Sequence, residues 1–389
     1  MLLHCYYCLI TVLSLVTGSS AVYHLLHEYA GQNFFSGWDF YGSWDNLTLS
    51  NTTWVSQENA TALNLAYINA AGNAIMRVDN TTNVPVGEMR NSVRITSQQS
   101  FDFGSLWIMD AVHLPYGCSV WPAFWTKGPN WPFEGEIDIV EGINMMANNQ
   151  MALHTVAGCM HNLTDPALQT GYNGGLDCGT GSGCVVSENA PNSYQAGFAA
   201  AGGGVWATQF DVSGVFMWFW SRPNIPAQIA NATSDTIMDP STWGPPVANY
   251  PTTTACNTSA FFSAQQLVFD IALCGDWAGV PSIYANTGCS KPNGTGICYL
   301  DSVVGPGSPT FDEAYFEIRY VRTYALGVVD PPASSSSSST QPTGTSTVVA
   351  TVTANAHDQS SNSARSIRLP ARLGAIVPLG LLLGSALVW

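Results

Sequence analysis

The chain has 389 residues and carries 26 acidic against 11 basic side chains, a formal net charge of −15 at pH 7. Nucleic-acid binding needs a basic surface, so this balance argues against a nucleic-acid partner. Only 10% of the residues are charged, and the length allows one large domain or two ordinary ones.

The N-terminus predicts a secretory signal peptide over residues 1–21. An apolar run over residues 9–16 precedes Ser19-Ser20-Ala21, which has the small side chains of a cleavage site. Cys5 and Cys8 form a C-x-x-C pair, but they lie inside this segment and would be removed with it. We therefore expect a secreted, extracellular protein and no redox or zinc role for this pair.

Residues 22–329 predict one strand-rich domain. Short apolar runs, such as residues 106–110, 215–220 and 267–272, lie between turn-forming stretches rich in glycine and proline. No long amphipathic helix and no internal repeat stand out. This pattern is typical of an all-β sandwich.

The most informative segment of this domain is Glu136–Glu141, which reads Glu-Ile-Asp-Ile-Val-Glu. Its β-branched residues predict a strand, on which Glu136 and Asp138 share one face. Strict alternation would direct Glu141 into the core, where an ionised carboxylate is too costly. We therefore predict a β-bulge at Ile139-Val140 that returns Glu141 to the carboxylate face.

Aromatic residues surround these acids. Trp121 and Trp125 stand in Trp-Pro-Ala-Phe-Trp, and Trp131 lies closer to the acids in the chain. Paired carboxylates with separated pKa values suit glycoside hydrolysis, and sugar C–H faces pack on aromatic rings. A solvated acidic face, a cation site or ordinary core tryptophans are the alternatives. The combination favours a carbohydrate cleft.

These residues make the chain resemble glycoside hydrolase family 16, in particular the fungal laminarinase-like endo-1,3(4)-β-glucanases. The acidic hexapeptide matches the bulged form of the family signature. Further similar segments are Arg90–Ile95, Leu153–Thr155 and Cys274–Gly279, and the likeness covers roughly residues 23–325. The resemblance implies a concanavalin A-like β-jelly-roll sandwich with a concave glucan-binding cleft.

The same resemblance implies a retaining double displacement. Glu136 would be the nucleophile, Glu141 the general acid/base, and Asp138 the residue that orients the nucleophile. His154 matches a family histidine near the acid/base, with a purely structural strand histidine as the alternative. The residues expected to line the sugar subsites are Arg94, Trp121, Trp125, Trp131 and Trp277, the last on a loop between two glycines. No metal and no cofactor are expected.

Eight cysteines follow the signal peptide, an even number that predicts disulfides formed in an oxidising compartment. Their pairing stays open, with Cys178–Cys184 and Cys289–Cys298 as candidate local bridges. A zinc site of Cys159, His154 and His161 is a weaker alternative, because it lacks paired C-x-x-C spacing. Eight N-x-Ser/Thr sequons agree with secretion and predict surface loops.

The composition changes after the strand-rich domain. Residues 330–361 are rich in serine and threonine and predict an extended stalk. Residues 362–389 end in an apolar tail with no charge after it, which matches a GPI-attachment signal. A single membrane-spanning anchor is the alternative. We therefore expect attachment to the outer leaflet through a lipid, at the cell surface or cell wall.

The sequence as a whole predicts a secreted, monomeric endo-β-glucanase that hydrolyses 1,3- or mixed 1,3/1,4-linked β-glucan. Two alternatives stay open. A transglycosylase would use the same covalent intermediate but pass the sugar to another glycan. A non-catalytic glucan-binding module would keep the aromatic cleft without needing the three acids.

Overall fold

The structure is a computed structural model that describes residues 21–162, 165 and 167–327. The predicted stalk and GPI signal lie outside these residues, as does the predicted signal peptide except for Ala21. Among the helices that the structure describes, none is both long enough and apolar enough to cross a membrane.

The described part of the chain is built almost entirely from β-strands. In chain order the strands are β1 (Tyr23–Ala30), β2 (Trp38–Phe40), β3 (Thr52–Trp54), β4 (Ala66–Ile68), β5 (Ala74–Arg77), β6 (Arg90–Ser92), β7 (Arg94–Phe101), β8 (Ser105–His113), β9 (Val120–Lys127), β10 (Glu136–Glu141), β11 (Gln150–His154), β12 (Tyr172–Asn173), β13 (Cys184–Ser187), β14 (Gly204–Asp211), β15 (Gly214–Ser221), β16 (Ala248–Pro251), β17 (Gln265–Leu273) and β18 (Tyr315–Leu326). The α-helices are short: α1 (Gln57–Ala62), α2 (Gln195–Ala200), α3 (Ala227–Ala230), α4 (Thr258–Phe261), α5 (Gly275–Ala278) and α6 (Pro281–Asn286). Short segments of other helix types are Gly31–Gly37, Arg222–Asn224, Pro240–Thr242 and Tyr299–Val303.

The strands form two eight-stranded antiparallel sheets and one small parallel pair, β3 with β6. The first sheet has the order β16-β15-β14-β8-β18-β5-β4, and β1 also pairs with β18. The second has the order β12-β13-β11-β10-β9-β17-β7-β2. Neighbours far apart in sequence, such as β8 with β18, show that the chain crosses repeatedly between the sheets. The architecture confirms the predicted all-β jelly-roll sandwich.

The main core lies between the two sheets. Phe269 of β17 and Phe316 of β18 meet across it, with ring centroids 5.4 Å apart. On β14, Trp206 enters this core, while Val205 enters a second cluster on the opposite face of the first sheet. The side chains that cover that opposite face include Ile229, Met238 and Trp243. The first sheet is therefore buried on both faces, and the cavity that holds the acids lies on the second sheet.

Four disulfides link the described residues: Cys118–Cys289, Cys159–Cys256, Cys178–Cys184 and Cys274–Cys298. The predicted bridge Cys178–Cys184 is confirmed. The predicted bridge Cys289–Cys298 is wrong, because Cys289 bonds to Cys118, just before β9, and Cys298 bonds to Cys274, directly after β17. The disulfide at Cys159 also removes this cysteine from the zinc alternative.

Candidate active site

The acidic hexapeptide forms β10 and contains the predicted bulge. Asp138 lies opposite Trp125 of β9 and Glu141 opposite Ala123, so three steps along β10 match two along β9. The extra residue lets Ile139 and Val140 both enter the main core, where they are 1% and 0% exposed. Glu141 consequently returns to the side of Glu136 and Asp138, as predicted.

The three acids line one cavity together with most of the predicted subsite residues. On β9, alternation places Trp121 and Trp125 on the outer face of the second sheet while Phe124 enters the core. The described residues that line the cavity are Asp45, Leu47, Thr48, Trp54, Arg94, Trp121, Ala123, Trp125, Trp131, Glu136, Asp138, Glu141, Asp270 and Ala272. Acids and indole rings thus share one cleft, the combination that the sequence predicts.

Each outer acid accepts a hydrogen bond from an indole. Trp131 donates its Nε1–H to Oε2 of Glu136, and Trp121 donates its Nε1–H to Oε1 of Glu141 over 2.9 Å. Gln150 of β11 contributes a longer contact, 3.4 Å from its Nε2 to Oε2 of Glu141. These tryptophans therefore orient the carboxylates in addition to forming the walls of the cleft.

His154 lies beside the central acid. Its Nε2 is 3.2 Å from Oδ2 of Asp138, and His154 lies opposite Glu136 in the ladder between β10 and β11. Gly183 supports the imidazole, since a Cβ at this residue would lie 2.8 Å from the His154 Nε2. The next residue is Cys184, whose disulfide to Cys178 closes the turn that holds this glycine. His154 therefore contacts the acid cluster from the side of β11 and β13.

Glu136, Asp138 and His154 each offer one ligand atom within 4.8 Å of the others, a spacing that a metal site would also have. The group does not require an ion, because His154 contacts Asp138 and the Trp131 indole donates to Glu136. An acid cluster with a neighbouring histidine has the same spacing, and the cavity with its aromatic walls favours this interpretation.

Burial raises the pKa of Glu136, Asp138 and Glu141, each to about 8. The charge of Asp138 adds to this rise in both glutamates, and the charge of Asp270 adds to it in Asp138. The indole hydrogen bonds and the charge of His154 act in the opposite direction on the two glutamates. Because each ionisation opposes the next, the cluster holds at least one proton at neutral pH.

Asp270 is a cleft residue that sequence reasoning missed. It lies on β17, and its Oδ2 accepts the Nε1–H of Trp125 at 2.9 Å. Burial raises its pKa to about 6, while the charge of Arg94 acts against this rise. The Arg94 guanidinium itself lies 4.8 Å from the centre of the Tyr41 ring and 5.4 Å from that of Trp125. The signal was present in the sequence, because Asp270 is a lone carboxylate inside the apolar run of residues 267–272.

Trp277 differs from its prediction. It lies on helix α5 and not on a loop, because Gly275 adopts a φ of +70° and turns the chain directly into a helical turn. Its ring packs edge-on against Trp121, with centroids 5.4 Å apart. Trp277 therefore supports a wall residue, whereas Arg94, Trp121, Trp125 and Trp131 border the cavity directly.

Comparison with known proteins agrees with this geometry. Residues 38–324 match the model of the XgeA-like, catalytic GH16 domain. The chain belongs to this family of glycoside hydrolases. The matched range includes the whole second sheet, all of the first sheet except β1 and the end of β18, and all the acids of the cleft, and the glycoside hydrolase family 16 likeness seen in the sequence is confirmed.

The GH16 chain is similar to several fungal proteins. A probable glycosidase of Schizosaccharomyces pombe is 38% identical over 307 residues, which cover 78% of this chain and 69% of that protein. The endo-1,3(4)-β-glucanase xgeA of Emericella nidulans is 32% identical over 321 residues, or 80% of this chain and 49% of that protein. The GH16 chain thus spans only about half the length of the latter.

Two solved GH16 structures are also similar. Laminarinase 16A from Phanerochaete chrysosporium, solved with 6-O-glucosyl-laminaritriose in its donor and acceptor sites, is 35% identical with a TM-score of 0.71. An elongating β-1,3-glucosyltransferase is 36% identical with the same TM-score, 0.71. Each alignment covers 78% of the GH16 chain described here and 100% of the other chain.

The buried acids make a prediction about stability. The pKa of Glu141 rises from an ordinary 4.5 to about 8 in the folded protein, so folding holds a proton that the unfolded chain releases between these values. Stability should therefore fall as the pH rises through this window. Glu141→Gln cannot ionise and should gain about 1–3 kcal/mol over the wild type at pH 8, with little gain at pH 4.

Urea unfolding at a series of pH values measures this difference. Glu58→Gln is the control, because Glu58 is exposed on α1 and should show no gain that grows with pH. A Glu141→Gln difference that stays constant from pH 4 to pH 8 would contradict the raised pKa.

Proposed function

We propose that the protein is an endo-β-glucanase that cleaves 1,3- or mixed 1,3/1,4-linked β-glucan by a retaining double displacement. The observation that carries this proposal is the bulged strand β10. It presents Glu136 and Glu141 on one side, in a cavity walled by tryptophans, with an indole donor on each carboxylate. A pair of carboxyl groups facing one sugar is the machinery of glycoside hydrolysis.

In this mechanism Glu136 attacks the anomeric carbon while Glu141 donates a proton to the departing glycosidic oxygen. The result is a covalent glycosyl-enzyme, and Glu141, now ionised, then removes a proton from the water that hydrolyses it. The N–H of Trp131 stabilises the ionised form of Glu136, which the nucleophile must adopt. Burial, with the added charge of Asp138, raises the pKa of Glu141, so Glu141 keeps the proton that it must donate.

The cleft suits a β-glucan chain. The indoles of Trp121, Trp125 and Trp131 offer apolar faces for sugar C–H groups, and Arg94 and Asp270 offer polar groups for hydroxyls. The names of the similar endo-1,3(4)-β-glucanase and of the laminarinase that holds a laminaritriose derivative support this substrate class. A non-catalytic binding module would leave the paired acids without a role.

Transglycosylation is the second candidate. The similar elongating β-1,3-glucosyltransferase is as close to this chain in identity and fold as the laminarinase is. Both reactions would pass through the same covalent intermediate, and they differ only in whether water or a sugar hydroxyl accepts the glycosyl group. Incubation of the wild type with laminarin separates them, because hydrolysis increases the number of reducing ends while transfer lengthens chains at a constant number.

The role of Glu136 makes the first prediction for activity. Glu136→Gln removes the nucleophile at nearly constant volume, so the rate of laminarin cleavage should fall by several orders of magnitude. The variant should still fold, as circular dichroism and thermal unfolding would show. Near-normal turnover by Glu136→Gln would refute the assignment of the nucleophile.

The hydrogen bond from Trp121 makes a prediction for the pH profile. Trp121→Phe keeps an aromatic wall but removes the N–H that lowers the pKa of Glu141. The acid then keeps its proton to higher pH, so the descending limb of kcat/KM should move up by about half to one pH unit. Trp125→Phe is the control, because its indole donates to Asp270 and not to Glu141. An unchanged limb in Trp121→Phe would argue against Glu141 as the general acid.

We also propose that the protein is secreted as a monomer and held at the cell surface by a GPI anchor. Four disulfides among the described residues support an oxidising compartment. The expected result is release of the full-length protein from intact cells by a phosphatidylinositol-specific phospholipase. Retention on the membrane after that treatment, with release by detergent only, would favour the membrane-spanning alternative.

A further inference from the structure

The bulge in β10 interrupts the regular pairing of that strand with β11, where the register shifts between Asp138 and Glu141. Backbone N–H and C=O groups within a bulge lose their ladder partners and need others when they are buried. One side chain supplies both partners here. Oδ1 of Asn149 accepts the backbone N–H of Glu141 at 2.8 Å, and its Nδ2 donates to the backbone C=O of Ile139 at 2.9 Å.

Asn149 is itself firmly held. It is 0% exposed, so water cannot take over the hydrogen bonds of its amide group. Its backbone N–H donates to Oγ of Ser193 at 3.1 Å, and its C=O accepts the N–H of Glu188 at 2.9 Å. The Tyr194 ring packs against Gly142, the residue after Glu141, since a Cβ on Gly142 would lie 2.9 Å from that ring. The segment from Glu188 to Tyr194 thus holds Asn149 and packs against Gly142, next to the bulge.

These contacts fix the backbone of Glu141 and therefore the position from which its side chain extends. The amide of Asn149 bonds to the chain on both sides of Val140, which spans the extra residue of the bulge. Without this link the bulged backbone loses two anchors, so Glu141 can shift relative to Glu136 even while Ile139 and Val140 stay in the core. A general acid displaced by about 1 Å from the leaving oxygen can lose roughly a hundredfold in rate.

We propose that Asn149 is a positioning residue that holds the general acid/base Glu141 in its working orientation by bonding across the bulge. This inference rests on the proposed function, because it assumes that Glu141 protonates the leaving group. Asn149 lies beside β10 at the position of a ladder partner, does not border the cavity, and touches no substrate in this scheme. Its effect should therefore appear only in steps that need the proton of Glu141.

Substrates with different leaving groups separate this role from a general loss of structure. Cleavage of laminarin needs a proton on the departing sugar, whereas fluoride leaves a laminaribiosyl fluoride with little or no such help. For Asn149→Ala we expect kcat/KM on laminarin to fall about 10- to 100-fold, and kcat/KM on the fluoride to stay within about threefold of the wild type. Glu141→Ala should show the same pattern with a larger difference between the two substrates.

Asn144→Ala is the matched control. Asn144 is also 0% exposed, and its amide also bonds to two backbone groups, the N–H of Ser119 at 2.7 Å and the C=O of Ala278 at 3.0 Å. Both alanine variants should unfold at a lower temperature than the wild type. Only Asn149→Ala should change the ratio of the two kcat/KM values. If Asn149→Ala fails to fold, Ser193→Ala removes one support of Asn149 and should change the ratio in the same direction by a smaller factor.

The experiment separates a failure of the positioning role from a failure of the general-acid assignment. Equal losses on both substrates in Asn149→Ala, or no loss on either, would overturn the positioning role while leaving the proposed function intact. If Glu141→Ala also loses activity equally on both substrates, the assignment of the general acid fails, and the positioning role of Asn149 fails with it; if the wild type cleaves neither substrate, the proposed function itself fails.

Discussion

The site depends on one irregularity in one strand. A regular strand cannot place Glu136, Asp138 and Glu141 on one face, because the spacing between the second and third acid is odd. The bulge adds one residue, and both Ile139 and Val140 use it to enter the core. Apolar burial and catalytic geometry therefore favour the same distortion, since the core gains a second aliphatic side chain at the point where the acid turns outward.

Taken alone, the cluster of Glu136, Asp138 and Glu141 is energetically unfavourable. Three carboxylates share a poorly solvated wall, where burial raises the pKa of each and the charge of Asp138 adds to the rise in both glutamates. The surrounding residues limit this penalty without cancelling it: Trp121 and Trp131 donate hydrogen bonds, and His154 lies against Asp138. A raised pKa is what an acid/base catalyst needs, so under the proposed function the burial that costs stability at these residues serves the reaction.

The sequence predicted those features of the site that depend on residues close together in the chain. The cost of burying Glu141 predicted the bulge, and alternation on β9 accounts for the shared face of Trp121 and Trp125. The sequence did not predict the contacts between segments that lie far apart in the chain. The wrong bridge between Cys289 and Cys298 assumed that neighbours in sequence pair with each other, whereas their partners come from the segment before β9 and from the end of β17. Asp270 carried a readable signal, but only the fold shows that β17 lies next to the aromatic strand.

The two disulfides of the segment that follows β17, Cys118–Cys289 and Cys274–Cys298, have a consequence for how a polysaccharide meets the enzyme. Helix α5, which carries Trp277, follows Cys274 directly, and the segment beyond it is bonded back through Cys289 to the start of β9. The helix that backs Trp121 is thereby covalently joined to the sheet that bears the acids. A glucan that enters the groove meets a surface whose shape is set in advance, so little ordering entropy is lost at the moment of capture.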